Sequence, residues 1–97
     1  MLFRSYWIAK YKKIDSQESL NKYSEKAKKV IESFGGKAIV RGGRYLTFEG
    51  EDFIRTVIWE FKNIDTATKC HDSKDYQEAW SLAKNTTVRD LLIVEGV

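Results

Sequence analysis

The chain has 97 residues, of which 42% are hydrophobic and 32% are charged, and its formal net charge is +3. This length suits one domain, and the composition is too apolar for a disordered segment. A single cysteine excludes a disulfide framework, and the charge is weaker than is typical of nucleic-acid binders. No run approaches the roughly 20 apolar residues of a membrane-spanning helix. We therefore expect one domain over residues 1–97, in the cytoplasm, with neither nucleic acid nor a membrane as partner.

The first third of the chain predicts a strand followed by a long helix. Residues 5–11 are rich in aromatic and β-forming side chains, which is typical of a strand, with Trp7, Ala9 and Tyr11 on one face and Tyr6 and Ile8 on the other. Residues 15–34 place apolar side chains at helical spacing. Asp15, with Glu18 three residues later, predicts a capping box at the start of this helix.

The middle of the chain predicts two further strands. Residues 37–41 and 44–49 both follow a β pattern, which predicts one long strand with a kink or bulge at Gly42 and Gly43. A turn then leads to a third strand over residues 53–61, which we expect at the centre of the sheet.

The last third of the chain predicts two helical segments and a final strand. Residues 63–72 suit a short helix, and Ser73 is typical of the cap that begins a second one. Four apolar residues of the second helix share one face: Tyr76, Ala79, Trp80 and Ala83. Residues 85–89 predict a loop, and residues 90–95 predict the last strand.

The resulting order, β-α-β-β-α-β, predicts a ferredoxin-like α+β protomer. Right-handed crossovers place both helical segments on one side of a four-stranded antiparallel sheet and leave the other side bare. Ile8, Ile39, Ile58 and one set from residues 91–94 would line the bare side or the opposite face, depending on register. Because an exposed apolar surface of this size is typical of an interface, we expect a homodimer in which two such sides pack together.

Several short motifs together resemble a known family. They are residues 35–43 (GGKAIVRGG), Leu46, Glu49-Gly50, Arg55, Glu60-Phe61, Ser73-x-x-Tyr76-Gln77 and Val94-Glu95-Gly96. Their combination resembles domain of unknown function 1330, which is similar to the dimeric α/β-barrel superfamily. The resemblance covers nearly the whole chain, but Cys70-His71 stands where an aromatic pair is common and Lys84 where an arginine is common.

The resemblance implies a dimeric α/β barrel with a ferredoxin-like protomer, joined through its sheets, with a small cavity between sheet and helices. It implies no established activity, because the family is uncharacterised. Relatives in the wider superfamily include cofactor-free monooxygenases, haem-degrading enzymes and non-catalytic modules. Fold alone does not choose among these functions.

The run Arg41-Gly42-Gly43-Arg44 is the most unusual local feature. Backbone N–H groups beside two guanidinium groups would hold an anion or a carboxylate. The alternative is a bulge that bends the strand toward a partner subunit.

Aromatic residues on other elements would complete a ligand pocket. Tyr76 and Trp80 lie one helical turn apart and would wall a pocket for an apolar or aromatic ligand, with Tyr6 contributed by the first strand. The alternative for the helical pair is ordinary core packing.

Two residues are candidates for catalysis. Glu60 lies in a strand among aromatic residues, where burial would make it a general base, or Arg41, Arg44 or Arg55 would pair with it. His71, the single histidine, suits acid–base chemistry near neutral pH or a partly buried helical position. One cysteine and one histidine fall short of a zinc site, so we expect no metal, and we expect no cofactor.

These observations favour a homodimer that binds a small organic ligand between sheet and helices, and a cofactor-free enzyme is one form that this function could take. One alternative is a non-catalytic dimeric module for structure or interaction. A more remote alternative is RNA binding, because RNA-recognition motifs share this topology. The partial match to their RNP1 string is interrupted at Gly43 and Arg44, and it falls on the second strand instead of the third.

Overall fold

The computed structural model describes residues 3–97, which form four strands and three α-helices. The strands are β1 (Ser5–Ile14), β2 (Lys37–Arg41), β3 (Arg55–Phe61) and β4 (Thr87–Glu95), and the α-helices are α1 (Gln17–Ser33), α2 (Ile64–Asp72) and α3 (Lys74–Ser81). The strands form one antiparallel sheet in the order β2-β3-β1-β4. This topology confirms the ferredoxin-like α+β fold.

Ser73 divides the second helical segment into α2 and α3. Its backbone is extended, with φ −66° and ψ 148°, and its hydroxyl oxygen accepts a hydrogen bond from the Tyr76 N–H. Both features are those of a residue that ends one helix and caps the next, as the sequence predicts.

The side of the sheet that faces the helices carries the core. Trp7, Ala9 and Tyr11 of β1 are buried there, and Trp59 and Phe61 lie opposite or beside them on β3. The helices contribute the other buried side chains of the cluster, which are Leu20, Tyr23, Ala27, Ile31, Ala67, Cys70, Tyr76 and Ala79. The predicted alternation of β1, with Tyr6 and Ile8 on the opposite face, is confirmed.

The predicted capping box at Asp15 is wrong, because α1 begins two residues later. The cap is Ser16, whose hydroxyl oxygen accepts a hydrogen bond from the Ser19 N–H at 3.1 Å. Asp15 instead continues the sheet, since its N–H donates to the Thr86 carbonyl at 2.7 Å. Glu18 is therefore the second residue of the helix and does not complete the box.

Residues 44–49 do not form the predicted continuation of β2. Gly42 has φ +65°, which turns the chain away from β3, and residues 42–54 have no strand structure. The side chains of Leu46 and Phe48 are 74% and 88% exposed. A β pattern becomes a strand only where a neighbouring edge can pair with it, and β1 already occupies the other edge of β3.

The irregularity in β2 also lies elsewhere than predicted. The register with β3 shifts between Ala38 and Val40, before the two glycines. Val40, and not Ile39, therefore lies opposite Ile58.

The predicted loop at residues 85–89 is wrong. A short 3₁₀ helix covers Lys84–Thr86, and β4 begins at Thr87. The reason is that β1 runs on past Tyr11 to Ile14, which gives the early part of β4 a partner. Arg89 consequently lies within the sheet, directly opposite Tyr11.

The side of the sheet that faces away from the helices is the open sheet face. Its apolar residues are Tyr6, Ile8, Val40, Ile58, Leu92 and Val94. Four of them, Leu92, Ile8, Ile58 and Val40, form a continuous row across all four strands. Leu92 and Val94 are 53% and 45% exposed. Within residues 3–97, no helix is long and apolar enough to cross a membrane.

The cap assignment predicts a difference between two neighbouring alanine substitutions. Ser16→Ala should lower the free energy of unfolding by about 1 kcal/mol, because it removes the acceptor for an N–H at the start of α1. Asp15→Ala should cost less than about 0.5 kcal/mol, since the ion pair that its side chain forms with Lys13 is exposed. Urea unfolding followed by circular dichroism measures both, and the reverse order would contradict the assignment.

Candidate ligand-binding cleft

Two arginines and a tyrosine form a row across three strands, on the side of the sheet that faces the helices. Arg55 of β3 and Arg89 of β4 both lie opposite Tyr11 of β1. Neighbouring strands are about 4.8 Å apart, so the two arginine Cα atoms are separated by about 10 Å. Arg41 lies opposite Val57 in the next row of the same face. Three guanidinium groups are thus concentrated at one end of this face.

A cleft with an interior volume of about 50 Å³ lies between this part of the sheet and α1 and opens to solvent at its mouth. Its walls are largely aromatic and aliphatic, and they comprise Trp7, Ala9, Tyr11, Tyr23, Ala27, Ile31, Val57 and Trp59. Its charged lining residues are Lys28, Arg41, Arg55 and Arg89, all of which are cations. A concave site with apolar walls and a few convergent polar groups is the usual form of a small-molecule site.

The Arg89 guanidinium is held by three tyrosine hydroxyl groups. Its Nη1 donates to the hydroxyl oxygens of Tyr11 at 3.3 Å and Tyr23 at 3.2 Å, and its Nη2 donates to that of Tyr76 at 2.7 Å. The hydroxyls of Tyr23 and Tyr76 are themselves 2.7 Å apart. The Arg89 Cζ also stacks 3.6 Å from the centre of a Trp80 ring. These contacts fix the guanidinium in one orientation.

This arrangement leaves part of the Arg89 guanidinium unused. Its three hydrogen bonds occupy three of the five N–H donors that an arginine carries. The remaining donors are Nε–H and one Nη2–H, which have no hydrogen-bond partner within residues 3–97. Arginine commonly binds a carboxylate through two parallel hydrogen bonds. Within residues 3–97, Arg89 has no carboxylate partner.

The three tyrosines are neutral and act as hydrogen-bonding groups at physiological pH. Burial raises the pKa values of Tyr11, Tyr23 and Tyr76 above the usual value of the phenol group. Burial alone would lower the pKa of Arg89, but its interactions with the three tyrosines outweigh this effect and raise it. The cluster therefore carries one uncompensated positive charge.

Gly42 determines where the Arg55 side chain lies. A Cβ atom at residue 42 would overlap the Nη1 of Arg55. The positive φ of Gly42 is also unfavourable for residues other than glycine. The Gly42 N–H donates to the Thr56 carbonyl at 2.8 Å, so it is engaged within the fold. Gly43, by contrast, has open space around the position of a Cβ atom.

The predicted site residues separate into two groups. Arg41 lines the cleft, and Tyr76 and Trp80 contact Arg89 from behind it. Glu60 and Tyr6 lie on the open sheet face, on the opposite side of the sheet. There the Tyr6 hydroxyl donates to Glu60 Oε2 at 3.2 Å, which raises the pKa of Tyr6.

The arginine that pairs with Glu60 is Arg4, at 3.2 Å, and not one of those considered from the sequence (Arg41, Arg44 and Arg55). The Arg4 side chain is 68% exposed, so the pair contributes little to stability. Glu60 is consequently outside the cleft, where it cannot act on a ligand bound near Arg89.

His71 also lies apart from the cleft lining. Its Nδ1 is 2.9 Å from Asp72 Oδ1, and its ring packs 5.6 Å from that of Tyr76. Cys70 points into the core, where burial raises its pKa to about 12. Within residues 3–97, no group of three or more His, Cys, Asp or Glu side chains is placed to hold a metal ion.

Sequence reasoning missed most of the cleft lining, including Tyr11, Tyr23, Arg55 and Arg89. Arg89 had a detectable signal, because it continues the alternation of Leu91 and Ile93, which pack against the core. Its assignment to a loop concealed that alternation. The side of the sheet occupied by Glu60 was also deducible, since its neighbours Trp59 and Phe61 face the helices.

The chain matches Domain of unknown function (DUF1330) over residues 4–97. It belongs to that family. A comparison with curated proteins finds no match. Because the function of this family is unknown, belonging to it does not assign an activity to the protein.

Solved structures with the same fold include proteins of unknown function. This DUF1330 chain is similar to a protein of unknown function from Rhodopseudomonas palustris. The two share 16% identity with a TM-score of 0.77, and the match covers 100% of this chain and 85% of that one. It is also similar to a protein from Bacteroides fragilis described as dimeric, of unknown function and ferredoxin-like, with 15% identity, a TM-score of 0.64 and 96% coverage of both chains.

A third structure is a candidate antibiotic biosynthesis monooxygenase from Caulobacter crescentus. Its identity to this DUF1330 protein is 9% and its TM-score is 0.62, with coverage of 99% of this chain and 92% of that one. Likeness at such identities shows the fold alone.

The tyrosine cluster and Cys70 predict that stability declines at alkaline pH. Their raised pKa values mean that the unfolded chain loses these protons before the native protein does. Their contribution is fully present below about pH 8 and is lost as pH rises toward their native pKa values. The free energy of unfolding should fall by up to about 1.4 kcal/mol per pH unit for each group, beginning near pH 8 for Cys70 and near pH 9 for the tyrosines.

Urea unfolding at pH values from about 8 to 11 measures this decline. Tyr76→Phe is the matched control, because it removes one titrating hydroxyl while it keeps the ring. Its unfolding free energy should depend less steeply on pH than that of the unmodified protein. Equal slopes for the two proteins would contradict the assignment.

Proposed function

We propose that this protein binds a small organic acid in the cleft between the sheet and α1, with the carboxylate held by Arg89. The observation that carries the proposal is the Arg89 guanidinium, fixed by three tyrosines and without a carboxylate partner in residues 3–97. A desolvated charge without a partner is unfavourable, so such an arrangement is typical of a site whose counter-ion is a ligand.

The walls of the cleft support an organic ligand over an inorganic anion. Trp7, Trp59 and Ile31 provide aromatic and aliphatic surface next to the cationic groups. An apolar ligand body would remove this surface from water, while the Tyr11 hydroxyl and the remaining N–H donors of Arg89 would bind the carboxylate.

Binding without catalysis is the function that the geometry supports best. The two candidates for acid–base catalysis, Glu60 and His71, are both absent from the cleft lining. The tyrosines that do contact Arg89 have raised pKa values, which makes them poor bases at neutral pH.

We further propose that two copies of the protein pack through their open sheet faces. The apolar row from Leu92 to Val40 crosses the whole sheet. On this face the side chains of Val40, Leu92 and Val94 are each more than a third exposed to solvent. The structurally similar protein from Bacteroides fragilis is described as dimeric. The cluster of Arg4, Tyr6 and Glu60 lies on the same face, which favours a role in assembly for these residues.

Ligand binding is tested by comparing acids with their neutral amides. Benzoate and hexanoate should raise the midpoint of thermal unfolding, whereas benzamide and hexanamide should leave it unchanged, because only the acids offer a charge to Arg89. A ligand at 100 times its dissociation constant stabilises the native state by about 2.7 kcal/mol. Differential scanning fluorimetry measures the shift.

Arg89→Met should abolish the response to the acids, while its unbranched side chain still packs against Trp80. Arg44→Met is the matched control, because it removes the same charge from an exposed position outside the cleft. A shift of equal size with the amides, or one that survives Arg89→Met, would contradict the proposed function.

Self-association is tested by placing a charge on the open sheet face. The unmodified protein should have the mass of two chains by light scattering at micromolar concentration. Leu92→Asp should weaken the dimer by at least about tenfold, because the new carboxylate would be buried without a partner. Leu82→Asp, on the helical side, introduces the same change at a similarly exposed leucine and should leave the dimer intact. A single-chain mass for the unmodified protein would refute the proposal.

A further inference from the structure

We infer that the ligand carries two negatively charged groups, one bound by Arg89 and the other by Arg55 and Arg41. This inference rests on the proposed function and specifies its ligand as an elongated organic dianion. It makes the cleft a site for dicarboxylates, in preference to acids with a single charged group.

The charge of the cleft is the first observation in its favour. The lining contains four cationic side chains and no carboxylate. The ion pairs within residues 3–97 include none of these four, although most other parts of the surface mix both signs. A ligand with one carboxylate would neutralise Arg89 alone and leave Arg41 and Arg55 without a counter-ion at the mouth.

The spacing of the arginines is the second observation. Arg55 and Arg89 flank Tyr11 on neighbouring strands, with Cα atoms about 10 Å apart. The Arg89 guanidinium is held by tyrosines of β1, α1 and α3, whereas that of Arg55 lies against Gly42 after β2, so a compact anion on Arg89 would not contact both. Two carboxylates joined by a short carbon chain or a ring would span Tyr11 and contact both.

The fixed position of Arg55 is the third observation. Its guanidinium occupies the place where a side chain at residue 42 would begin, so Gly42 is required for that position. Arg41 lies beside it, with its Cζ 5.9 Å from the centre of a Trp59 ring. The backbone turn at Gly42 and the aromatic wall of the cleft thus position the guanidinium groups of Arg55 and Arg41.

The test compares dicarboxylates with monocarboxylates of matched shape. Isothermal titration calorimetry at constant ionic strength measures adipate against hexanoate, and terephthalate against benzoate. Each dianion should bind at least about tenfold more tightly than its partner, because it adds charge-assisted hydrogen bonds to Arg55. A statistical factor of two for two equivalent carboxylates is too small to account for this difference.

Three variants connect the difference to the structure. Arg55→Met should bring each dicarboxylate to within about twofold of its monocarboxylate. Gly42→Ala should have the same effect by displacing the Arg55 guanidinium. Arg44→Met should keep the full preference, since Arg44 is exposed and outside the cleft lining. Circular dichroism establishes that each variant is folded, and Arg55→Gln replaces Arg55→Met if the latter unfolds.

The outcomes separate the two proposals. Equal affinity for both members of each pair, with binding that still requires Arg89, would overturn the second anionic group and leave the proposed function intact. A preference for dianions that survives both Arg55→Met and Gly42→Ala would also overturn it. Absence of binding by all four acids at millimolar concentration would contradict the proposed function itself.

Discussion

The structure of the cleft depends on one interaction, the contact of the Arg89 guanidinium with the hydroxyl groups of three tyrosines. These tyrosines come from β1, α1 and α3, so the guanidinium joins the sheet to two helices at a point where each contributes a buried aromatic ring. The hydrogen bonds satisfy the hydroxyl groups but leave the positive charge without a counter-ion. In a domain of this size, whose margin of stability is small, a desolvated charge without a counter-ion is costly and marks the cluster as a candidate functional site.

The two sides of the sheet have different compositions and, in our proposals, different roles. The side under the helices gathers arginines and aromatic residues around a cleft, whereas the open side presents an apolar row with one charged cluster at its edge. The alternation of side chains along β1 and β3 produces this division, because neighbouring residues always face opposite sides. Glu60 and Trp59 are adjacent in the chain and yet belong to separate surfaces.

Much of the fold follows from local patterns in the sequence. The apolar alternation of β1, the helical spacing of α1 and the cap at Ser73 each predict the observed element, because each depends on neighbours within a few residues. The errors occur where a distant segment decides the outcome. Residues 44–49 lack an edge to pair with, and the start of β4 is a strand only because β1 extends to Ile14.

The cleft was harder to predict than the fold for the same reason. Arg41 and Tyr76 were recognised from their local context, but the row formed by Arg55, Tyr11 and Arg89 depends on the registers of two strand pairs. Those registers follow from pairings between segments that are more than 40 residues apart in the chain. Single-residue chemistry therefore identified individual charged and aromatic groups without showing which of them meet.

The burial of Cys70 has a consequence for how motions of the molecule can be observed. This thiol is the only one in the chain and has no exposed surface, because α2 holds it against the core. An alkylating reagent can reach its sulfur only when α2 separates transiently from the sheet. Cys70 is thus a natural probe of local opening. The ratio of its alkylation rate to that of the unfolded chain reports the opening equilibrium of α2 without an engineered label.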